Sequence, residues 1–128
     1  MPGELEKITR EMLSALDRKD ADGFIRNSAG DVQAVDEISR RWLRGVGEVG
    51  DYLRGVVKQI EAVRSTINNV REVIWGEAGV LTCWLEQDYT LEGTKQHVSA
   101  PTTVVFRRDH SAWKMVLFES IPLPPESA

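Results

Sequence analysis

Hydrophobic residues in the first part of the chain recur at the spacing of amphipathic helices. One stripe predicts a helix over roughly residues 4–18 and is formed by Leu5, Ile8, Met12, Leu13 and Leu16. Asp20 is suited to cap a second, short helix that carries Phe24 and Ile25. A further stripe predicts a third helix from Val46 to about Ile60.

After the third helix the pattern changes to long runs rich in β-branched and aromatic residues, which are typical of strands. Four such runs cover residues 63–75, 80–91, 96–107 and 113–121, with short turn-like segments between them. Because parallel strands need long crossovers, short turns predict an antiparallel meander. A short strand at 31–36, with Arg41-Trp42-Leu43 as its hairpin partner, precedes the third helix.

These elements predict one α+β domain over residues 1–128, with an extended tail from about residue 121. Three N-terminal helices would pack on one face of a strongly curved, mainly antiparallel β-sheet. A chain of 128 residues with 41% hydrophobic residues is long enough to bury a core of this kind.

Charge and composition narrow the function classes. The net charge of −4 and the lack of a basic run argue against nucleic acid as a partner. No apolar run is long enough to cross a membrane, and the first residues do not resemble a signal peptide. The single cysteine, Cys83, lies in an apolar strand, where we expect a small buried hydrophobe. A lone cysteine also fits a cytoplasmic location.

Two motifs could indicate a cofactor. Residues 45–50 read Gly45-Val46-Gly47-Glu48-Val49-Gly50, a formal dinucleotide-binding fingerprint. The preceding segment is too polar for a buried parallel strand and a meander follows, so we expect these glycines to mark the entry to a helix. His97 and His110 are the only histidines and lack metal-binding spacing. We therefore expect no cofactor and no metal.

The last predicted strand carries a candidate acid. Strict alternation would place Trp113, Met115, Leu117 and Glu119 on one side, which should be the core or pocket side. Glu119 would then lie at the end of an apolar face, where desolvation raises a carboxyl pKa toward values useful for acid–base chemistry. The alternative is that the strand ends there and Glu119 reaches water.

Two strings resemble the SnoaL-like members of the nuclear transport factor 2-like superfamily. Residues 43–53 are similar to the family's entry to the third helix, with Gly45, Val49 and Leu53 at the matching positions. Residues 111–116, with Ser120 downstream, resemble its final strand. The resemblance implies a cone-shaped fold with a cavity open at one end. It covers nearly the whole chain, and the family includes isomerases, cyclases, dehydratases and binding modules without catalysis.

Ketosteroid isomerases of this superfamily indicate which residues to compare. Their general-base aspartate lies nine residues before the glycine of the third helix, and that position is Asp36 here. The oxyanion-hole acid two residues after a late proline corresponds to Thr103, counted from Pro101. The first helix carries no tyrosine, so steroid isomerisation is not expected. In the final strand, Leu117 and Glu119 take positions that many members give to histidine.

These observations leave two functions open. The first is a domain that binds a small apolar metabolite, with metal-free acid–base chemistry by Asp36 and Glu119, and that forms a homodimer through the outer sheet face. Its expected pocket-lining residues are Trp42, Tyr52, Trp84, Thr103, Trp113, Met115 and Leu117. The second is a non-catalytic interaction or assembly module that uses the exposed sheet face.

Overall fold

The structure, a computed structural model, describes residues 3–124 and contains three helices and six strands. The helices are α1 (Glu4–Asp17), α2 (Ala21–Ile25) and α3 (Val46–Gln59). The strands are β1 (Ser28–Asp36), β2 (Leu43–Arg44), β3 (Ile60–Trp75), β4 (Ala78–Leu91), β5 (Thr94–Asp109) and β6 (Ala112–Ser120). The three helices and the four-stranded meander are thus confirmed. Of the predicted tail, residues 121–124 follow the last strand and 125–128 lie outside the described residues.

Local chemistry fixes the start of the second and third helices. The Asp20 carboxylate accepts a hydrogen bond from the backbone N–H of Gly23 at 2.9 Å, which caps α2 as predicted. Gly45 precedes α3 with φ +89°, a backbone conformation that favours glycine. The glycine motif therefore opens a helix after the two-residue strand β2, as expected.

The strands form one mixed sheet in the order β2-β1-β6-β5-β4-β3. β1 pairs with β6 in parallel, and its antiparallel partner β2 aligns Ala34 with Leu43 and Gln33 with Arg44. The predicted hairpin partner, Arg41 to Leu43, is therefore wrong by one to two residues. The Asp36 carboxylate accepts bonds from the backbone of Ile38 and Ser39 and closes a turn, so pairing resumes only at Leu43.

Bulges bend the long strands around the helices. The pairing of β3 with β4 shifts register near Ala62 and Asn69, which have positive φ angles of 55° and 52°. A further shift between β5 and β6 leaves Val116 without a partner, since Val105 pairs with Leu117 and Phe106 with Met115. Each extra residue bends its strand and increases its twist. The result is a curved, open sheet with the helices on its inner face.

The narrow end of this curved sheet is filled by tightly packed side chains. Leu5 and Met12 of α1 meet Phe106 and Met115 of the sheet, and all four are at most 2% exposed. A side chain at Gly79 would come within 2.7 Å of Leu5, so this end has no room for a ligand. None of the described helices combines the length and the apolar character needed to span a membrane.

The cap of α2 yields a stability prediction, because α2 carries Phe24 into the core. Asp20→Ala removes the acceptor for the Gly23 N–H and should lower the free energy of unfolding by about 1 kcal/mol. Asp20→Asn, which keeps an acceptor oxygen, should remain close to the wild type. Urea denaturation measures both values. An equal loss in the two variants would contradict a capping role.

Candidate functional site

The wide end of the sheet encloses a cavity of about 50 Å³. Its walls are mostly apolar and come from all three helices and from the inner face of the sheet. The apolar lining residues are Leu13, Leu16, Phe24, Ala34, Val35, Leu43, Val49, Leu53, Leu85 and Phe118. The polar lining residues are Asp36, Glu37, Tyr52, Gln87 and Ser120. An apolar cavity with a few polar groups is the usual form of a small-molecule site.

A surface groove of about 430 Å³ adjoins this cavity. The groove and the cavity share three residues, Val35, Asp36 and Glu37. Arg40 and the segment Ile121–Pro122 complete the groove on the outer side. The two acids therefore lie at the mouth of the cavity, where a compound entering from solvent would meet them first.

Asp36 is held by three hydrogen bonds to one of its oxygens. Its Oδ1 accepts from the Tyr52 hydroxyl at 2.7 Å and from the backbone N–H groups of Ile38 and Ser39 at 3.0 and 2.8 Å. Within residues 3–124, Oδ2 accepts no hydrogen bond. Burial and the neighbouring Asp36 charge raise the pKa of Tyr52, so its hydroxyl keeps the proton that it donates. Asp36 thus joins β1, the following turn and α3.

Glu37 has fewer contacts than its neighbour. Its Oε1 accepts one hydrogen bond, a long one of 3.4 Å from the Tyr89 hydroxyl. Burial raises the pKa of Glu37, and the adjacent Asp36 charge adds to this effect, while the residue's own backbone N–H and the Tyr89 hydroxyl oppose it in part. Burial and the proximity of Glu37 raise the pKa of Tyr89 to about 12. Glu37 is therefore a partly buried carboxyl at the cavity mouth that holds a proton more tightly than an exposed glutamate.

The other polar lining residues, Ser120 and Gln87, form hydrogen bonds with neighbouring side chains. Thr102 donates its hydroxyl proton to the carbonyl of Ala100 at 3.1 Å and lies 2.8 Å from the Ser120 hydroxyl. Either hydroxyl can be the donor in this pair, and if Thr102 donates to Ala100, Ser120 donates to Thr102 and leaves its lone pairs for the cavity. Gln87 donates one amide hydrogen to Ser65 at 3.0 Å and keeps the other.

Of the residues expected at the site, the structure brings Asp36 and Tyr52 together at the cavity. Trp113 and Met115 do not line it, because both are buried in the narrow end. Trp113 donates its indole N–H to Glu4 at 2.9 Å, and the Arg108 guanidinium lies 4.5 Å from the centre of its ring. Both residues are core rather than pocket.

Leu117 and Glu119 lie on the outer face of the sheet, which corrects the expected alternation. The bulge at Val116 shifts the side-chain order by one residue, so Phe118 and Ser120 are buried on the inner face instead. Glu119 is exposed to solvent and does not line the cavity. Glu119 therefore reaches water, which was the alternative interpretation of its position in the sequence.

The other expected lining residues also point away from the cavity. Trp84 follows Cys83 and precedes Leu85, which are both buried, so it projects from the outer face. Thr103 lies on that face too, while its neighbour Thr102 is the inward hydroxyl. Trp42 is 39% exposed in the loop before β2.

Glu37 is the main site residue that the sequence did not identify. Glu37 directly follows a strand whose last residue faces inward, and this position could have indicated a site residue. A charged residue next to Asp36 is, however, equally typical of a solvent-exposed turn. Cys83 is buried as predicted, and its burial raises the pKa of the thiol to about 11.

The histidines form no metal centre in the structure. His97 is an exposed residue near the start of β5, and its partners lie on β4, with Nδ1 2.7 Å from Asp88 Oδ1 and Nε2 3.5 Å from Glu86 Oε2. Asp88 raises the pKa of His97, chiefly through this hydrogen bond. Across residues 3–124, no group of three or more His, Cys, Asp or Glu side chains is placed to hold a metal ion.

Comparisons with known proteins agree with this architecture. No curated protein matches the sequence significantly. A proposed dehydratase of the nuclear transport factor 2-like family from Streptomyces avermitilis has a TM-score of 0.86 at 18% identity, over 95% of this chain and 96% of its own. A ketosteroid isomerase-like protein from Erwinia carotovora atroseptica has a TM-score of 0.79 at 15% identity, over 94% of both chains.

A third structure, a nuclear transport factor 2-like superfamily protein from Salmonella enterica, has a TM-score of 0.86 at 13% identity, over 97% of this chain and 92% of its own. At these identities the structures establish the fold alone. The family model of the SnoaL-like domain matches residues 5–124, which include all the helices and strands except the first residue of α1. The chain therefore belongs to the SnoaL-like family and has the cone-shaped, nuclear transport factor 2-like fold.

Proposed function

We propose that this protein binds a small, largely apolar compound in the cavity at the wide end, with Asp36 and Glu37 as its main polar contacts. The observation that carries this proposal is the position of two carboxyl groups at the mouth of an otherwise apolar cavity. The contacts of Asp36 also serve the turn after β1, but Glu37 has only one long hydrogen bond, and burying a carboxyl without partners costs free energy. This supports ligand binding over a purely structural role for the wide end.

The size of the cavity limits what it can hold without a change of shape. At about 10–15 Å³ for each water-sized group, its volume accommodates about four such groups. A larger compound would have to extend past the acids into the outer groove. The compound would thus place a short apolar portion inside and its polar group at the mouth, as small-molecule sites usually do.

Proton transfer without a metal is the reaction class that this arrangement would support. A carboxyl that holds its proton more tightly than an exposed glutamate can donate that proton to a bound compound or take one from it. Glu37 suits this role better than Asp36, because Asp36 is occupied by the Tyr52 hydroxyl and two backbone donors. Glu119 is exposed and does not line the cavity, so it has no part in this proposal.

We also propose that two copies associate through the outer face of the sheet. Partly exposed apolar side chains gather there on the central strands, and they include Val80, Trp84, Val105 and Leu117. Apolar side chains clustered on one face favour association, because burial removes their surface from water. The cavity lies on the opposite face, so such a dimer would leave it accessible.

Ligand binding is tested by filling the cavity. Ala34→Leu places a larger side chain among the lining residues and should abolish binding of four-carbon probes. We suggest n-butylamine, n-butanol, 2-butanone and butyrate, followed by changes in backbone amide shifts in NMR titrations. With so few atoms in contact, dissociation constants in the millimolar range are expected for the probes that bind.

The matched control is Ala112→Leu, which makes the same change at an exposed residue near the opposite end of the sheet. Amide shifts around the cavity should then follow the wild type. If no probe binds the wild-type protein, or if Ala34→Leu binds as well as the wild type, the cavity is not a ligand site.

Glu37 should also make stability depend on pH in a defined direction. Because its pKa is higher in the folded than in the unfolded state, folding retains a proton between the ordinary value of 4.5 and the raised value. The contribution of Glu37 to stability is therefore greatest below pH 4.5 and decreases as pH rises through this window. Glu37→Gln should remove that decrease and leave the variant more stable than the wild type at neutral pH.

Chemical denaturation of both proteins from pH 4 to 8 measures this difference. Glu77→Gln serves as a control, because Glu77 is exposed and its carboxylate makes no hydrogen bond or ion pair within residues 3–124. A difference between wild type and Glu37→Gln that stays constant over the range would show that Glu37 does not titrate abnormally.

The dimer is tested at Trp84, near the centre of the outer face. Trp84→Glu introduces a charge among apolar side chains and should reduce the solution mass from twice to once that of the 14.4 kDa chain. Trp75→Glu makes the same substitution at a residue that is 62% exposed at the end of β3, and it should remain dimeric. Sedimentation equilibrium gives the masses. A monomeric wild type at tens of micromolar would rule out the dimer.

A further inference from the structure

The hydrogen-bonding groups at the cavity mouth are almost all acceptors. Tyr52 has committed its proton to Asp36, and the Ser120 hydroxyl is hydrogen-bonded to the Thr102 hydroxyl at 2.8 Å. Apart from the Ser120 hydroxyl, the second amide hydrogen of Gln87 is the one neutral side-chain donor that remains among the described lining residues. The free acceptors include Asp36 Oδ2 and both oxygens of an ionised Glu37, whose single partner is distant.

Charge reinforces this imbalance. The described residues that line the cavity include two carboxyl groups and no lysine, arginine or histidine. Among the described residues that line the cavity or the groove, Arg40 is the one cation, and it lines the groove. A ligand carboxylate at the mouth would meet like charges, whereas a ligand cation would offset two negative charges in partly desolvated surroundings.

From this donor and acceptor inventory, together with the enclosed apolar cavity, we infer that the ligand is a primary amine with a short apolar body. The inference rests on the proposed function and specifies its ligand class. A protonated amine has three N–H donors and no acceptor, which matches Asp36 Oδ2, Glu37 and the Ser120 hydroxyl oxygen. Simple alkylamines resemble the lysine side chain and are protonated at neutral pH.

Other polar groups match the same atoms less well. A hydroxyl donates one hydrogen bond and leaves the remaining acceptors without a partner. A carbonyl accepts only, so it would use the Gln87 amide hydrogen and require Glu37 to remain protonated. A carboxylate would be repelled from the mouth and would be restricted to the groove beside Arg40. We therefore expect amines, alcohols, carbonyl compounds and carboxylates to bind with different affinities.

The experiment compares n-butylamine, n-butanol, 2-butanone and butyrate at pH 7.5 and constant ionic strength. These probes share nearly the same apolar body and differ in their polar group. We expect n-butylamine to bind about tenfold or more tightly than the other three, which corresponds to about 1.4 kcal/mol or more. Glu37→Gln should reduce amine affinity about tenfold and change n-butanol affinity by less than about twofold.

Two control variants separate specific from general electrostatic attraction. Glu119→Gln removes the same charge from the outer face and should leave amine affinity unchanged. Arg40→Gln removes the groove cation and should not weaken the amine. If Glu119→Gln weakens the amine as much as Glu37→Gln does, attraction is due to net charge and the inference fails.

The results also distinguish this inference from the proposed function. If n-butanol, 2-butanone or butyrate binds as tightly as n-butylamine and Ala34→Leu abolishes that binding, the cavity is a ligand site but not an amine site. If no probe binds, or Ala34→Leu has no effect, both proposals fail. Selective amine binding that requires Glu37 and is lost in Ala34→Leu supports both.

Discussion

The bend of the sheet around α1 and α3 is the constraint on which the rest of the structure depends. Register shifts in the long strands produce this bend, and each extra residue also reverses which side chains face inward. The narrow end then closes on Leu5, Phe106 and Met115, while the wide end is too broad for its side chains to fill. The cavity is therefore a consequence of the curvature itself, and its lining is set by the position of the bulges.

The polar groups of the wide end follow from how the chain turns there. β1 ends at Asp36 on the inner face, and its carboxylate closes the turn by accepting from Ile38 and Ser39. The Tyr52 hydroxyl binds the same oxygen and fixes the distance between α3 and β1. This arrangement satisfies local hydrogen bonding but consumes the phenolic proton, so the groups left at the mouth are acceptors. The structural bonds thereby determine which ligands the mouth can recognise.

Much of the fold could be predicted from periodicity, because helical stripes and strand runs are local signals. The α1 stripe, the Asp20 cap and the meander after Ile60 were all predicted from residues adjacent in sequence. The parallel pairing of β1 with β6 could not be, because its partners are distant along the chain. The shift to Leu43–Arg44 as the hairpin partner likewise depended on the hydrogen bonds of Asp36.

The site was less predictable than the fold for the same reason. The inward position of Asp36 was inferred from a family resemblance, and the structure places it at the cavity. Leu117 and Glu119 were assigned to the wrong face because strict alternation takes no account of a bulge, and nothing in the local residue types marks Val116 as the extra one. Thr103 was misplaced by a single residue, while the inward hydroxyl belongs to Thr102. Errors of one residue exchange the two faces of a strand.

Asp36 and Glu37 are adjacent acids with different physical roles. Asp36 has a structural reason to be there, since three donors stabilise its charge and join three segments of the fold. Glu37 has one long hydrogen bond, and its burial and its neighbour both oppose ionisation. A carboxyl whose surroundings oppose its ionisation and that forms few native contacts is not explained by stability alone. A cation bound between the two carboxyls would favour the ionised form of Glu37, so the free energy that opposes its ionisation would be offset by the ligand.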